Sequence, residues 1–172
     1  MANTYTLIAS NVLGSSAASV TFSAIPSTYT DLVLRMSARC DYAYIFDGLL
    51  MRLNADSGSN YSYTILRGSG SAASSSAGTS QTTSRVGYVV GSTSTANTFN
   101  TGEIYIPSYL SSAKKPISTY AAQEDNASAA YMEANANLWQ GTSAVSSITL
   151  TTANAANFVS GSSFYLYGIS KS

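Results

Sequence analysis

The sequence predicts an all-β protein, an antiparallel β-sandwich or jelly roll of about ten short strands. Three observations lead to this prediction. Apolar and polar residues alternate with a period of two in many short segments, β-branched and aromatic residues concentrate in those segments, and Gly, Ser and Asn residues separate them. A period of two is typical of strands that bury one face, so the pattern favours antiparallel sheets over helices.

The alternation is clearest in TDLVLRMSAR, DGLLMRLN, NYSYTILR, TGEIYIP, SSITLTT and SSFYLYGI. In these segments the apolar residues are predicted to face the core while residues such as Arg52 face outward. The predicted core positions are Leu32, Leu34, Met36, Ala38, Leu49, Met51, Leu53, Tyr61, Tyr63, Ile65, Ile104, Ile106, Phe164 and Leu166.

Further strands are predicted in NTYTLIAS, ASVTFSAI, RVGYVV, PISTYAAQ and AAYMEANANLW. The last of these is rich in alanine, a composition that also suits a short helix. However, Glu133, Asn135 and Asn137 alternate with small or apolar neighbours, and this period favours a strand.

Between Arg67 and Arg85 the sequence reads RGSGSAASSSAGTSQTTSR, without one large apolar side chain. A linker there would leave two halves that each hold too few strands to close a sandwich. We therefore predict one domain over residues 1–172, with a long Ser-rich surface loop at residues 68–84. Such an insertion costs little stability, and we expect it to be mobile unless a neighbouring subunit orders it.

Charged residues are scarce, at 9% of the 172 residues, and the eight positive and eight negative charges cancel. A neutral surface gives little repulsion between copies, which favours a protein fixed within an assembly, with a secreted monomer as the alternative. The arginines are scattered, so no basic stripe is available for nucleic acid.

The first residues, MANTYTLIAS, lack the basic and apolar regions of a signal peptide. No apolar run approaches the ~20 residues of a membrane span. Cys40 is the single cysteine, so no intrachain disulfide can form, and we expect its thiol to be buried. These features predict a protein made in the cytosol without a membrane partner.

The sequence contains no histidine. This excludes a Ser-His-Asp triad and disfavours a zinc site, and RGSGSAAS lacks the lysine and helix of a phosphate-binding loop. Paired carboxylates remain the one conceivable catalytic group. We expect Asp41, Asp47 and Asp56 to serve turns and Glu103, Glu124, Asp125 and Glu133 to lie on solvated strand faces. The prediction is a protein that is not an enzyme and holds no cofactor or metal.

The segment NADSGSN (54–60) is rich in oxygen ligands but does not fit the spacing of a calcium loop, so a β-turn is predicted there. Tyrosine occurs thirteen times and tryptophan once, at Trp139, which we expect to pack in the core. Tyrosine is favoured both at protein interfaces and on sugar-binding faces, so composition leaves these two roles open.

Five stretches together, TYTLIAS, FSAIPSTYTDLVLRMSAR, GEIYIPSYLSSAKKP, NLWQGTSAVSSITL and NFVSGSSFYLYGI, resemble small virion structural proteins of tailed bacteriophages, notably of aquatic bacteria. The resemblance covers essentially the whole chain. It implies a sandwich of jelly-roll type that assembles with other virion proteins, and it transfers no catalytic residue.

The resemblance supports, as the leading hypothesis, a capsid decoration or cement protein on the outer capsid surface. Such a protein would be a homotrimer that bridges subunits of the major capsid protein. The alternative is a tail-fibre or head-fibre module that binds host polysaccharide. Segment 1–9 is a candidate for strand addition to a neighbour. The candidate partner contacts are Asn3, Tyr5, Tyr105, Tyr109, Lys114 and Lys115.

Overall fold

A computed structural model describes residues 4–127 and 130–170 of the chain, and within them it contains twelve strands and no helix. The strands are β1 (Tyr5–Val12), β2 (Val20–Phe22), β3 (Asp31–Ser37), β4 (Phe46–Leu53), β5 (Tyr61–Gly68), β6 (Ala73–Gln81), β7 (Ser84–Val90), β8 (Thr101–Ile106), β9 (Lys115–Gln123), β10 (Tyr131–Trp139), β11 (Ile148–Thr152) and β12 (Ser163–Ile169).

The strands form two antiparallel sheets. The larger has the order β1-β12-β3-β8-β9-β10-β5-β6, and the smaller has the order β2-β11-β4-β7. The all-β antiparallel sandwich predicted from the sequence is confirmed. A division into eight and four strands differs from the eight-stranded jelly roll with two Greek keys, so the jelly-roll assignment stays a prediction.

Apolar side chains from both sheets meet in one core. The alternation in β3, β4, β8 and β12 placed its residues correctly, because every predicted core position on these strands is buried. Tyr63 on β5 is only half-buried. Trp139 and Cys40 are buried in the core, as predicted, and burial raises the pKa of the Cys40 thiol to about 11.

The Ser-rich segment is not a structureless loop, and this corrects the prediction for residues 68–84. A turn at residues 69–72 reverses the chain, and β6 then pairs with β5 in antiparallel register. Its side chains are exposed or half-buried throughout, as expected of a surface segment. The strand forms because β5 offers a free ladder of backbone groups, which pairs with any extended chain whatever its side chains.

Strand β10 is also confirmed as a strand. Its polar residues face the interior, however, and several of its apolar residues face solvent, which is the opposite of the usual arrangement. Glu133, Asn135 and Asn137 point into the sandwich and are buried, while Met132 and Ala134 face solvent. The expectation that Glu133 lies on a solvated face is therefore wrong. The Glu133 carboxylate is instead 2.7 Å from Nε of Arg67.

Charged side chains fix the loops between strands. The Arg39 guanidinium donates to the backbone carbonyls of Ser92, Ser94, Thr95 and Thr98, which holds the segment between β7 and β8.

Carboxylates fix two further connections. Asp56 accepts hydrogen bonds from the Gly58 amide at 2.9 Å and from Trp139 Nε1 at 2.7 Å, and the turn predicted at 54–60 joins β4 to β5. Asp47 lies within β4, not in a turn as predicted, and accepts from both nitrogens of Asn154.

Candidate interaction surface

The structure places the predicted contact residues in different environments. Asn3 lies outside the described residues. Tyr5 is 50% exposed on β1, and Lys114 is exposed just before β9. Tyr105 is half-buried on β8, where its hydroxyl donates to Asp31 at 2.9 Å.

Tyr109 and Lys115 are buried, which removes both from the surface and corrects their assignment as contacts. The Tyr109 hydroxyl donates to the Pro26 carbonyl. The Lys115 ammonium donates to the carbonyls of Ser111 at 2.7 Å and Ala113 at 2.6 Å, and burial lowers its pKa. Both side chains stabilise the turn after β8 from inside. Exposed residues flank Tyr109 and Lys115 in the sequence, so the sequence alone does not indicate that these two side chains are buried.

Residues 1–3 of the segment expected to add to a neighbour lie outside the described residues. Tyr5, Thr6, Leu7 and Ala9 already pair with β12 as part of β1, so strand addition by the described part of the segment would use the outer edge of β1.

The surface that best fits an interface is the face of the eight-stranded sheet turned away from the smaller sheet. We call it the outer face. Cross-strand registers bring its side chains into rows across the sheet. Its larger members are Tyr5, Leu7, Arg35, Leu66, Glu103, Tyr105, Tyr120, Met132, Tyr165 and Tyr167.

The outer face is rich in aromatic area and poor in net charge. Arg35 and Glu103 oppose each other on β3 and β8 with 2.9 Å between Nε and Oε2, so their charges cancel locally. The Tyr5 and Tyr167 rings meet edge to face at 6.5 Å. Tyrosine contributes large rigid area with few rotatable bonds, which is why interfaces favour it.

An exposed apolar patch lies at one end of the outer face. Leu66 is 62% exposed, Met132 is 55% exposed and Tyr120 is 44% exposed, and Ala134 lies between them in the register. Together they surround a shallow depression of about 240 Å³. Large side chains exposed as a group, rather than singly, mark interaction sites.

A cleft of about 540 Å³ opens next to this patch and shares Met132 with it. Phe99 and Tyr131 supply aromatic walls, and Gln123 and Glu124 supply polar groups. Tyr131 is held in place by edge-to-face contact with Phe46, whose ring centroid is 4.8 Å away.

A second cleft, of about 660 Å³, lies at the Pro107 bend and is lined by Tyr29, Asp31, Tyr105 and Leu110. Asp31 accepts from the Ser108 amide at 2.7 Å as well as from Tyr105. Desolvation and the neighbouring carboxylate raise the pKa of Tyr105.

Each of the seven carboxylates considered as catalytic candidates accepts a hydrogen bond within the chain. Backbone amides or the side chains of Asn and Trp donate to five of them, Asp41, Asp47, Asp56, Glu124 and Asp125. Arginines donate to the other two, Glu103 and Glu133. Asp125 is buried, contrary to the expectation of a solvated face.

Among the described residues, no group of three or more His, Cys, Asp or Glu side chains lies close enough to hold a metal ion. The described part of the chain also contains no helix long and apolar enough to cross a membrane. No family model, no curated protein and no solved structure matches the chain. The fold and the surface thus define it as a β-sandwich with a tyrosine-rich sheet face.

Proposed function

We propose that this protein is a structural component of a tailed-phage virion, and specifically a capsid decoration protein that binds the major capsid protein through its outer face. The observation that carries the proposal is the outer face itself, which combines exposed tyrosines with the apolar patch of Leu66, Tyr120 and Met132. The resemblance of the sequence to virion structural proteins motivates the class of partner.

The chemistry of the face suits a permanent shell contact. Interface cores are depleted in charge and enriched in Tyr and Met, which is the composition found here. Because Arg35 and Glu103 neutralise each other, the contact would depend little on salt. Repeated copies on a shell convert modest individual contacts into strong attachment. The homotrimer implied by the resemblance belongs to the same proposal.

The test is co-sedimentation of the purified protein with capsids that lack it, followed by heating of the decorated shells. We expect binding and a higher disruption temperature. The double variant Leu66→Asp/Met132→Asp should weaken binding at least tenfold. The control Thr21→Asp, at the exposed position of strand β2 in the other sheet, should bind like the wild type. Wild-type protein that neither binds nor protects shells would overturn the proposal.

A second candidate function, a fibre module that binds host polysaccharide, is favoured by the cleft of Phe99 and Tyr131. Aromatic walls beside an amide and a carboxylate are the groups that stack on a sugar ring and bond its hydroxyls. A glycan array tests it, with Phe99→Ala as the cleft variant and Tyr120→Ala as the control outside the cleft. Loss of a glycan signal only in Phe99→Ala supports this candidate, and no signal from the wild type rejects it.

A further inference from the structure

Strand β6 ends the eight-stranded sheet, so one side of its backbone has no neighbouring strand among the described residues. Its sequence, ASSSAGTSQ, contains no charge, no proline and no large apolar residue. Every side chain on it is exposed or half-buried. The edge is therefore a nine-residue ladder of backbone donors and acceptors that small side chains leave open on both faces.

Edges of this kind are normally protected. Natural sheets blunt their edges with charged side chains, proline, bulges or very short strands, because an open edge pairs with other chains. Strand β2 has only three residues and β7 has mostly buried side chains. Strand β1 carries a bulge between Leu7 and Ala9 and exposes bulky side chains.

Strand β6 has one such protective feature, a shift in its pairing register with β5. The shift falls near the end of the strand, opposite Tyr61 and Tyr63. The run Ala73–Gly78 pairs with β5 without interruption.

This run is also held rigidly enough to act as a template. The Ser69 amide donates to the Ala72 carbonyl at 2.9 Å, which closes the turn before β6. At the other end, the Tyr63 ring lies over Gly78, and a Cβ built on that glycine would be 2.8 Å from the ring. A template fixed at both ends loses little conformational entropy when a further strand is added.

We propose that β6 is a self-association edge, which pairs antiparallel with β6 of a second copy about a two-fold axis. The occupant follows from the chemistry of the strand. An identical strand brings no charge against a neutral edge, and in an antiparallel pair centred near Ser75 the hydroxyls of Ser74 and Ser76 face each other. The pairing is made by the backbone edge of β6 and not by the side chains of the outer face, so the inference goes beyond the proposed capsid contact.

The regular run offers about six backbone hydrogen bonds across the two-fold axis. A contact this small belongs with weak interfaces, so it should form at high local concentration, as on a crowded surface. If other contacts build a trimer, each β6 pairing would join one copy of that trimer to one copy of another trimer.

Sedimentation velocity over rising protein concentration tests the proposal with two variants that leave the core untouched. Ser74→Lys/Ser76→Lys places like charges across the axis, on the sheet face opposite to Leu66, and Ser10→Lys adds one lysine to the edge strand β1. We expect the wild type and Ser10→Lys to approach twice the mass of the double variant. Concentration-dependent hydrogen exchange should protect amides within Ala73–Gly78 in the wild type and in Ser10→Lys, but not in the double variant.

Equal masses for the wild type and the double variant would overturn the proposal, and so would dissociation caused by Ser10→Lys. Circular dichroism confirms that both variants are folded. Co-sedimentation of the double variant with capsids keeps the two proposals separate, because a dissociated but capsid-binding protein leaves the outer-face proposal intact.

Discussion

Nine polar side-chain atoms of the described residues are buried without a hydrogen-bond partner, and the residues that carry them lie on three strands. They belong to β7, β9 and β10, where the two sheets face each other, on Ser84, Arg85, Thr119, Gln123, Glu133, Asn135 and Asn137. An unpartnered buried polar group costs roughly 1–3 kcal/mol. We therefore expect these polar positions to contribute less to stability than the residues of the apolar core do.

Asn137 tests that expectation, because neither polar atom of its buried amide has a partner among the described residues. Replacement by Leu, of similar volume, should raise the free energy of unfolding by about 1 kcal/mol. The matched variant Asn135→Leu should gain less, since it gives up the bond from Nδ2 to the Arg85 carbonyl at 3.2 Å. Urea denaturation measures both. A loss of stability in Asn137→Leu would show that the amide is partnered in solution.

Tyr61 predicts how stability changes at alkaline pH. Burial raises the pKa of its hydroxyl from the ordinary 10 to about 12. A raised pKa in the folded state means that the stabilising contribution is complete below pH 10 and is lost as the pH rises towards 12. Between pH 10 and 12, the free energy of unfolding of Tyr61→Phe should therefore fall less steeply with pH than that of the wild type. The exposed Tyr120→Phe is the control, and an unchanged slope in Tyr61→Phe would contradict the assignment.

At this scale the sequence predicts apolar positions well and buried polar ones poorly. Trp139 and the core leucines follow from their chemistry, because burial of such groups is favourable on any fold. Glu133 and Lys115 are buried for reasons that lie elsewhere in the chain. Glu133 meets Arg67 on a neighbouring strand, and Lys115 finds carbonyls that a turn brings together. Alternation with a period of two does not say which face is inward.

At the scale of elements, β6 shows what composition leaves out. Ser and Gly have low strand propensity, and the absence of large apolar residues predicted a loop. The pairing with β5 overrides that propensity through backbone hydrogen bonds that no side-chain pattern reports. Strand β10 shows the converse, since its alternation was strong enough to exclude a helix in an alanine-rich segment.

Gly87 on β7 controls how closely the two sheets approach. Its φ is +133°, and a Cβ built there would lie 2.5 Å from the Cβ of Ala121 on β9. Gly87→Ala should therefore lower stability by about 3 kcal/mol, through backbone strain and overpacking together. In Gly102→Ala the three atoms nearest to the new methyl all belong to the flexible Met36 side chain, the closest at 3.2 Å, so the loss should stay below about 1 kcal/mol. Thermal unfolding distinguishes the two, and equal losses would contradict the close approach at Gly87.

At the scale of the whole molecule, stability depends on one core that both sheets share. The core includes residues from the beginning, middle and end of the chain, such as Leu13, Val86 and Phe164. Most strand neighbours are distant in sequence, for example β1 with β12 and β3 with β8. The sequence could predict the strands but not this order, because pairing between distant segments depends on the packed whole. Neither sheet can bury its apolar face without the other.

This dependence predicts a single cooperative unfolding transition, and the chain provides two unique probes for it. Trp139 fluorescence reports on β10, and the reactivity of the lone thiol, Cys40, reports on the segment that bridges to Phe158. Both side chains are buried in the same core, so urea should expose them with the same midpoint. Far-ultraviolet circular dichroism should follow the same curve. Cys40 precedes the Ser-rich segment and Trp139 follows it. Two separate midpoints would therefore mean that the chain has two cores that unfold independently, one on each side of this segment.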